Sequence, residues 1–146
     1  MKNELVLGID PGDTTGYCLV RIENRQIKST GIVGHCKGTD TKKLQDIIEE
    51  ADVVVLENFR VRPGKARQGV FNNSEMPTIQ IIGRIKTLCE IQNKTLVLQE
   101  PAIKPAGYGF SNMKYSAKKH GVHWEDALAH AAYYCVTQGL CTPIGV

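Results

Sequence analysis

The chain has 146 residues, a length that fits one domain with a single sheet and its covering helices. Apolar residues make up 42% and charged residues 23%, which is ordinary for a globular protein and excludes collagen-like and disordered classes. Eighteen Lys and Arg against fifteen Asp and Glu leave a net charge of +3, which is too small to identify a polyanionic partner.

The sequence carries no feature of a membrane or exported protein. No apolar stretch approaches the roughly 18 residues that a membrane-spanning helix needs, and the charged N-terminus runs into a strand pattern without a signal-peptide core. The five cysteines contain no CxxC pair, and their odd number does not suit a disulfide framework. We therefore expect the protein to work in a reducing cytoplasm.

The first third of the chain predicts an antiparallel meander of three strands. Strands are expected at residues 4–9, 16–22 and 26–33. The turn Asp10-Pro11-Gly12 ends the first strand, and Glu23-Asn24-Arg25 joins the second to the third.

The remainder of the chain predicts alternating helices and strands. In chain order we expect a helix over residues 39–51 capped by Thr39 or Asp40, a strand over 52–57, a helix with Pro77 in its first turn, a strand over 95–99, and a helix over 123–138 that Gly139 stops. Apolar side chains at Ile79, Ile81, Ile82, Ile85 and Leu88 are expected to form core, with part of that face available to a dimer. The order βββαβαβα predicts one α/β domain over residues 1–146, with a mixed sheet of three antiparallel strands followed by two parallel strands.

Two stretches of the chain, residues 58–74 and 101–124, contain several basic residues and no acidic residue. The basic residues are Arg60, Arg62, Lys65, Arg67, Lys104, Lys114, Lys118 and Lys119, and the aromatic residues among or beside them are Phe59, Phe71, Tyr108, Phe110 and Tyr115. Both stretches are long for loops in a small domain. Because cations neutralise phosphates and rings stack on exposed bases, the mixture favours distorted nucleic acid as a partner. Solvated basic loops are the alternative.

Acidic residues follow two of the predicted strands. Asp10 ends the first strand and Glu57 ends the fourth, and parallel strands place their carboxyl ends side by side, where open α/β sheets bind ligands. His123 and Asp126 lie three residues apart at the start of the last helix and therefore share a face. The alternative is that each acid lies separately at the sheet rim in water. His130, four residues beyond Asp126, is either a further ligand or, more commonly for such a residue, packed in the helix interface.

Carboxylates gathered in this way repel one another unless a cation joins them. Oxygen ligands with a single imidazole suit Mg²⁺ or Mn²⁺ better than zinc. Two such ions about 4 Å apart activate a water and stabilise the leaving 3′ oxygen when a phosphodiester is hydrolysed.

Three motifs in the same order resemble those of the RuvC family of Holliday junction resolvases. They are Gly8-Ile9-Asp10-Pro11-Gly12 with Thr15-Gly16 after it, Leu56-Glu57-Asn58, and His123-x-x-Asp126-Ala127. The resemblance covers most of the chain, and the chain is similar in its short length to phage-type members of the family. The resemblance implies a ribonuclease H-like fold. It also implies a homodimer that makes paired nicks in four-way DNA with Mg²⁺ or Mn²⁺ and leaves 5′-phosphate and 3′-hydroxyl ends. It also implies a bacterial or phage-infected host.

The resemblance also implies roles for individual residues. By matching position, the catalytic and metal-binding set is Asp10, Glu57, His123 and Asp126, with Asp10 bridging both ions. Many members of the family carry aspartate where His123 stands. Lys104 resembles a lysine near the DNA backbone, a role that Lys118 or Lys119 could share.

An aromatic residue is expected shortly after the catalytic glutamate in this family, as a wedge in the junction. In this chain Phe59 stands two residues after Glu57, and Arg60 occupies the next position. We expect Phe59 to contact DNA, and the identity of the wedge stays open.

Two other functions are compatible with parts of the pattern. One is an actin-like phosphotransferase fragment, whose Asp-x-Gly turn would hold a nucleotide phosphate; such enzymes need a second domain, for which this chain has no room. The other is a non-catalytic protein that binds branched DNA through the same basic residues.

Overall fold

Five apolar strands pair into one sheet in a computed structural model that describes residues 4–59, 75–112 and 122–143. The strands are β1 (Glu4–Asp10), β2 (Thr14–Glu23), β3 (Gln26–Lys37), β4 (Val53–Glu57) and β5 (Thr95–Gln99). The helices are α1 (Thr41–Glu49), α2 (Glu75–Ile91), α3 (Lys104–Phe110) and α4 (His123–Thr137), and a short 3₁₀ turn (Pro101–Ile103) precedes α3.

The sheet has the order β3-β2-β1-β4-β5 and is mixed as predicted. β1 and β3 are antiparallel to β2, whereas β4 lies parallel to β1 and β5 parallel to β4. Ile9 is the register partner of Leu56, and Glu57 is the partner of Gln99. The residues that end β1, β4 and β5 therefore meet at one edge of the sheet.

Alternate residues of the central strands supply a core on each face of the sheet. Leu7 and Ile9 pack with α1 and α2 on one face, whereas Val6 packs with α4 on the other. Residues of β1 and β4 are fully buried on both faces, which explains why their sequences are continuous apolar runs.

Helix α4 lies very close to the sheet because both surfaces are made of small residues. Ala127 and Ala131 are fully buried against β1. A Cβ on Gly8 would stand 1.9 Å from the Ala127 carbonyl oxygen, and one on Gly16 would stand 2.2 Å from the carbonyl carbon of His123. Glycine at both positions lets the first turn of α4, with His123 and Asp126, rest on the edge where β1 ends.

Most predicted elements are confirmed. Asp40 caps α1 by accepting a hydrogen bond from the Lys43 backbone N–H at 3.1 Å, and Gly139 follows α4 with a φ of 72°. β3 extends four residues beyond the predicted end.

Two predictions need correction. The stretch from residue 101 was predicted as a loop, yet it forms the 3₁₀ turn and α3, because prolines at the start of each suit a first helical turn. Ile79 was predicted to form core but is 36% exposed, while Ile81, Ile82, Ile85 and Leu88 are buried as predicted.

Seven of the basic residues predicted to contact DNA lie outside the described residues, namely Arg60, Arg62, Lys65, Arg67, Lys114, Lys118 and Lys119. Phe71, Tyr115 and His120 also lie outside them. Among the described helices, none combines the length and apolar character that a bilayer crossing requires. All five cysteines are free thiols.

Candidate active site

Three carboxylates and two imidazoles gather where β1 and β4 end and α4 begins. Asp10 and Glu57 are adjacent at the sheet edge because their preceding residues, Ile9 and Leu56, are register partners in parallel strands. α4 crosses this edge and supplies Asp126 from its first turn. The predicted convergence of residues far apart in the chain is therefore present in the structure.

Asp10 and His123 form the first pair in this cluster. His123 Nδ1 donates to Asp10 Oδ2 at 2.8 Å. Burial raises the pKa of Asp10, the hydrogen bond from His123 opposes that rise, and the negative charges of Glu57 and Asp126 add to it. The same hydrogen bond raises the pKa of His123 despite its partial burial. Burial dominates for Asp10 because its side chain is only 10% exposed, whereas that of His123 is 41% exposed.

His35 contacts the beginning of α4 beside this pair. Its ring lies edge-on to the His123 ring with centroids 6.1 Å apart, and its Nε2 accepts a hydrogen bond from the Trp124 backbone N–H at 3.4 Å. The sequence assigned no chemistry to His35. In the structure it helps to position the first turn of α4, which has no side-chain cap of its own.

Glu57 and His130 form the second pair. His130 Nε2 lies 2.9 Å from Glu57 Oε2, and His130 Nδ1 lies 2.8 Å from Gln99 Oε1. His130 is fully buried. Burial opposes ionisation of Glu57, but the hydrogen bond with His130 and the charge of Lys104 outweigh burial and lower its pKa.

Lys104 joins the acids at the centre of the cluster. Its Nζ lies 3.2 Å from Glu57 Oε2 and 3.4 Å from Asp126 Oδ2. Burial by itself lowers the pKa of Lys104, but Glu57, Asp10 and Asp126 outweigh burial and raise it. The ammonium group is thus the cation that relieves the repulsion among the three carboxylates.

Tyr108, which lies on α3, holds the third carboxylate, that of Asp126. Its hydroxyl donates to Asp126 Oδ1 at 2.5 Å, and the ring is buried. Burial, followed by the contact with Asp126, raises the pKa of Tyr108, so the phenol keeps its proton and remains a donor. Tyr108 was grouped with rings that could stack on bases; its burial contradicts that role. Phe110 stacks on Tyr133 at 6.1 Å.

A cleft of about 360 Å³ opens beside Asp10 and His123. Its lining residues are Pro11, Gly12, Asp13, Thr14, Phe59, Thr78 and His123. Phe59 packs partly against the core and also lines this cleft. Phe59 therefore shares the cleft with His123, the partner of Asp10.

The structure brings together every described residue of the predicted catalytic set, Asp10, Glu57, His123 and Asp126, and adds residues that sequence reasoning missed. Lys104, predicted as a DNA contact, pairs with two of the acids in the structure. Gln99 and Tyr108 were not assigned to the site. The signal for Gln99 was its place at the end of a strand, in the same position relative to its strand as Glu57.

The donor set fits a hard divalent cation, since it consists of carboxylate oxygens with one half-exposed imidazole. Within the described ranges, however, no three His, Cys, Asp or Glu side chains stand close enough together to hold a metal ion in their present arrangement. The Lys104 ammonium group pairs with both Glu57 and Asp126. The residues therefore fit by chemistry, with a lysine as their resident cation.

Solved structures of three Holliday junction resolvases share this architecture. T. thermophilus RuvC, in complex with a Holliday junction substrate, aligns with 97% of this chain and 99% of its own at a TM-score of 0.61 and 15% identity. Fowlpox virus resolvase, solved with Holliday junction DNA, aligns with 92% of this chain and 98% of its own at 0.58 and 15%. The yeast mitochondrial Holliday junction resolvase Ydc2 aligns with 92% of this chain and 79% of its own at 0.56 and 12%.

The architecture is thus ribonuclease H-like, with a mixed five-stranded sheet between helices. More narrowly, the chain has a RuvC-like resolvase fold. The sequence matches no protein-family model and no curated protein. The likeness that the comparisons show is therefore one of fold.

Proposed function

We propose that the protein is a structure-selective endodeoxyribonuclease that nicks Holliday junctions and other branched DNA, leaving 5′-phosphate and 3′-hydroxyl ends. The observation that carries this proposal is the gathering of Asp10, Glu57 and Asp126 around Lys104 at the carboxyl edge of a RuvC-like sheet. Clustered acids gain nothing by facing a phosphate backbone unless a cation is recruited between them. The cluster therefore supports hydrolysis rather than binding alone.

Asp10, Glu57, His123 and Asp126 would hold Mg²⁺ or Mn²⁺ in this proposal, as two ions per site. When bound, such a pair activates a water and stabilises the leaving 3′ oxygen of a phosphodiester. The chain's own residues prepare the site: Tyr108 holds Asp126 by a hydrogen bond, and Lys104 keeps the acids together. A metal ion that binds Glu57 and Asp126 would release Lys104 for the DNA backbone, which reconciles its ion pairs with the DNA contact that the sequence predicts.

Branched DNA is the proposed partner, and a homodimer the proposed assembly, since a symmetric junction needs two nicks. Phe59, beside the cleft, is a proposed DNA contact. The basic residues that we propose to neutralise phosphates are Arg60, Arg62, Lys65, Arg67, Lys104, Lys114, Lys118 and Lys119. A bacterial or phage-infected cytoplasm, the setting that the free cysteines suit, is part of the same proposal.

The turn after β1 does not favour a phosphotransferase. The Thr15 hydroxyl donates to the Gly12 carbonyl at 2.7 Å, and its oxygen lies 3.3 Å from the Gly12 backbone nitrogen as an acceptor. Thr15 is fully buried. The backbone N–H that a phosphate-binding turn would present to a nucleotide is therefore already engaged within the turn.

The decisive experiment incubates the purified protein with synthetic four-way, three-way and linear duplex DNA in Mg²⁺, in Mn²⁺ and in EDTA, and maps the nicks. We expect nicks in branched DNA only with a divalent ion, and sealing of paired nicks by DNA ligase if the ends are 5′-phosphate and 3′-hydroxyl. Binding without nicking in every buffer would favour the non-catalytic alternative. A melting temperature that rises with ATP would favour the phosphotransferase.

A further inference from the structure

His130 is the most deeply buried ionisable side chain near the candidate site, with an exposure of 0%. It lies on the same face of α4 as Asp126, one turn further along, and each ring nitrogen meets a different strand end. Nε2 contacts Glu57 at the end of β4, and Nδ1 contacts Gln99 at the end of β5. Because Glu57 and Gln99 are register partners, the imidazole closes a ring of contacts across two strands and one helix.

The hydrogen-bond chemistry fixes which atom His130 presents to Glu57. A neutral imidazole has one N–H, and the amide of Gln99 can present either its oxygen or its nitrogen to the other ring nitrogen. In the structure Gln99 Oε1 faces Nδ1 and Glu57 Oε2 faces Nε2, so each ring nitrogen lies against an oxygen acceptor. The contact with Gln99 therefore holds the ring in the orientation that directs Nε2 at the Glu57 carboxylate.

Burial makes this arrangement difficult to exchange. Gln99 is 9% exposed, and the side chain of Glu57 is 12% exposed. If His130 turned away, it would leave polar atoms of both partners without water to replace it. Lys104, by contrast, contacts the same Glu57 oxygen from the more open side of the cluster.

We propose that His130, oriented by Gln99, is a positioning residue that fixes the carboxylate of Glu57 for the chemistry of the site. This inference rests on the proposed function of Glu57 as an active-site acid. His130 contacts neither DNA nor a bound cation in this role and acts only through Glu57. Residues that orient ligands in this way commonly affect activity by about 10- to 100-fold.

The test compares His130→Leu, which removes both ring nitrogens, with His130→Gln, whose amide can still donate to Glu57. Ile85→Ala is the matched control, because Ile85 is also fully buried but packs on the other face of the sheet. Each variant is assayed at a temperature where it is fully folded. We expect His130→Leu to reduce the single-turnover nicking rate by about 100-fold without changing junction affinity. His130→Gln should recover at least half of that loss on a logarithmic scale. Ile85→Ala should nick at the wild-type rate.

A wild-type nicking rate in His130→Leu, or equal losses in folded His130→Leu and His130→Gln, would overturn the inference. If His130→Leu does not fold, Gln99→Leu replaces it, and a rate equal to that of the wild type overturns the inference in the same way. Crystal structures separate this result from a failure of the proposed function. If the wild type nicks no DNA, the proposed function fails. Displacement of the Glu57 carboxylate in His130→Leu but not in His130→Gln would still support the positioning role of His130. An unmoved Glu57 carboxylate in His130→Leu would overturn that role.

Discussion

Two carboxylate–imidazole pairs flank the candidate site, and they differ in how firmly they are held. Asp10 with His123 and Glu57 with His130 have nearly equal separations, 2.8 Å and 2.9 Å, and both histidines come from α4. The side chain of His123 is 41% exposed, whereas His130 is fully buried and has a second partner in Gln99. Because of this difference in burial, the first pair is free to separate and bind a cation, whereas the second pair holds its acid in place.

The largest expected effect comes from neutralising the carboxylates themselves. Asp10→Asn, Glu57→Gln and Asp126→Asn should each lower the single-turnover nicking rate by about 10³-fold or more, because each removes a charged oxygen ligand without changing shape. Junction binding measured by gel shift in EDTA should be unchanged or tighter, since a negative charge facing DNA is lost.

Asp52→Asn is the control for these three variants. Asp52 accepts a hydrogen bond from the Leu5 backbone N–H at the opposite end of the sheet, and asparagine keeps that acceptor. Its nicking rate should match that of the wild type. Wild-type nicking by Asp10→Asn would remove Asp10 from the proposed metal set.

Lys104→Met tests whether the lysine is the resident cation between the two pairs. Without a divalent ion, the substitution should lower the free energy of unfolding by about 3 kcal/mol, because it leaves partly buried carboxylates without their counter-charge. With Mn²⁺ present, Lys104→Met should be more stable than the wild type, since the ion no longer competes with the ammonium group. Calorimetry should show tighter Mn²⁺ binding to the variant.

Lys42→Met is the matched control, because Lys42 pairs with Asp46 at 3.1 Å on the exposed face of α1. An exposed pair of that kind contributes about 0–1 kcal/mol. Equal destabilisation by the two substitutions, or unchanged Mn²⁺ affinity in Lys104→Met, would contradict the role assigned to Lys104.

The sequence predicted the acids but not the residues that hold them, and the reason is physical. Asp10 and Glu57 each follow an apolar strand, so parallel pairing alone brings them together. The contact of His130 with Glu57 and Gln99 depends on the rotation of α4 and on the register of β5, neither of which local sequence specifies.

The helix that carries Lys104 and Tyr108 was missed for a related reason. Its sequence, KPAGYGF, contains one proline and two glycines, which usually indicate a loop. In the structure the proline lies in the first turn, and a Cβ on Gly107 would stand 2.3 Å from the Ala129 carbonyl oxygen. The glycine therefore serves close packing of α3 on α4, a requirement visible only in three dimensions.

The pH dependence of the exposed pair gives a smaller effect with a defined sign. A metal ion needs neutral His123 and ionised Asp10. The hydrogen bond to Asp10 raises the pKa of His123 above its ordinary 6.5, and burial raises the pKa of Asp10 above 3.8. Lowering the pH therefore protonates His123 first, so Mn²⁺ affinity and nicking should fall by about 10-fold per pH unit below the raised pKa of His123.

His123→Asp isolates this titration. The variant should retain some nicking, change the Mg²⁺/Mn²⁺ preference and shift the fall in Mn²⁺ affinity to lower pH. In metal-free wild-type protein the sign is reversed. Protonated His123 beside ionised Asp10 stabilises the fold below pH 6.5, and this contribution is lost as the pH rises through the raised pKa of His123. Identical metal and pH profiles for the two proteins would place His123 outside the coordination sphere.

The smallest expected effect concerns Arg62, which belongs to the acid-free stretch 58–74 and lies outside the described residues. If Arg62 contacts a phosphate, Arg62→Ala should weaken junction binding several-fold and reduce the slope of log affinity against log salt by about one. Lys42→Ala, on the exposed face of α1, is the control and should leave the slope unchanged. Because neither carboxylate pair is altered, Arg62→Ala should nick bound junctions at the wild-type rate under saturating protein. A reduced rate at saturation with an unchanged salt slope would instead indicate that Arg62 acts at the acids rather than on the backbone of the DNA.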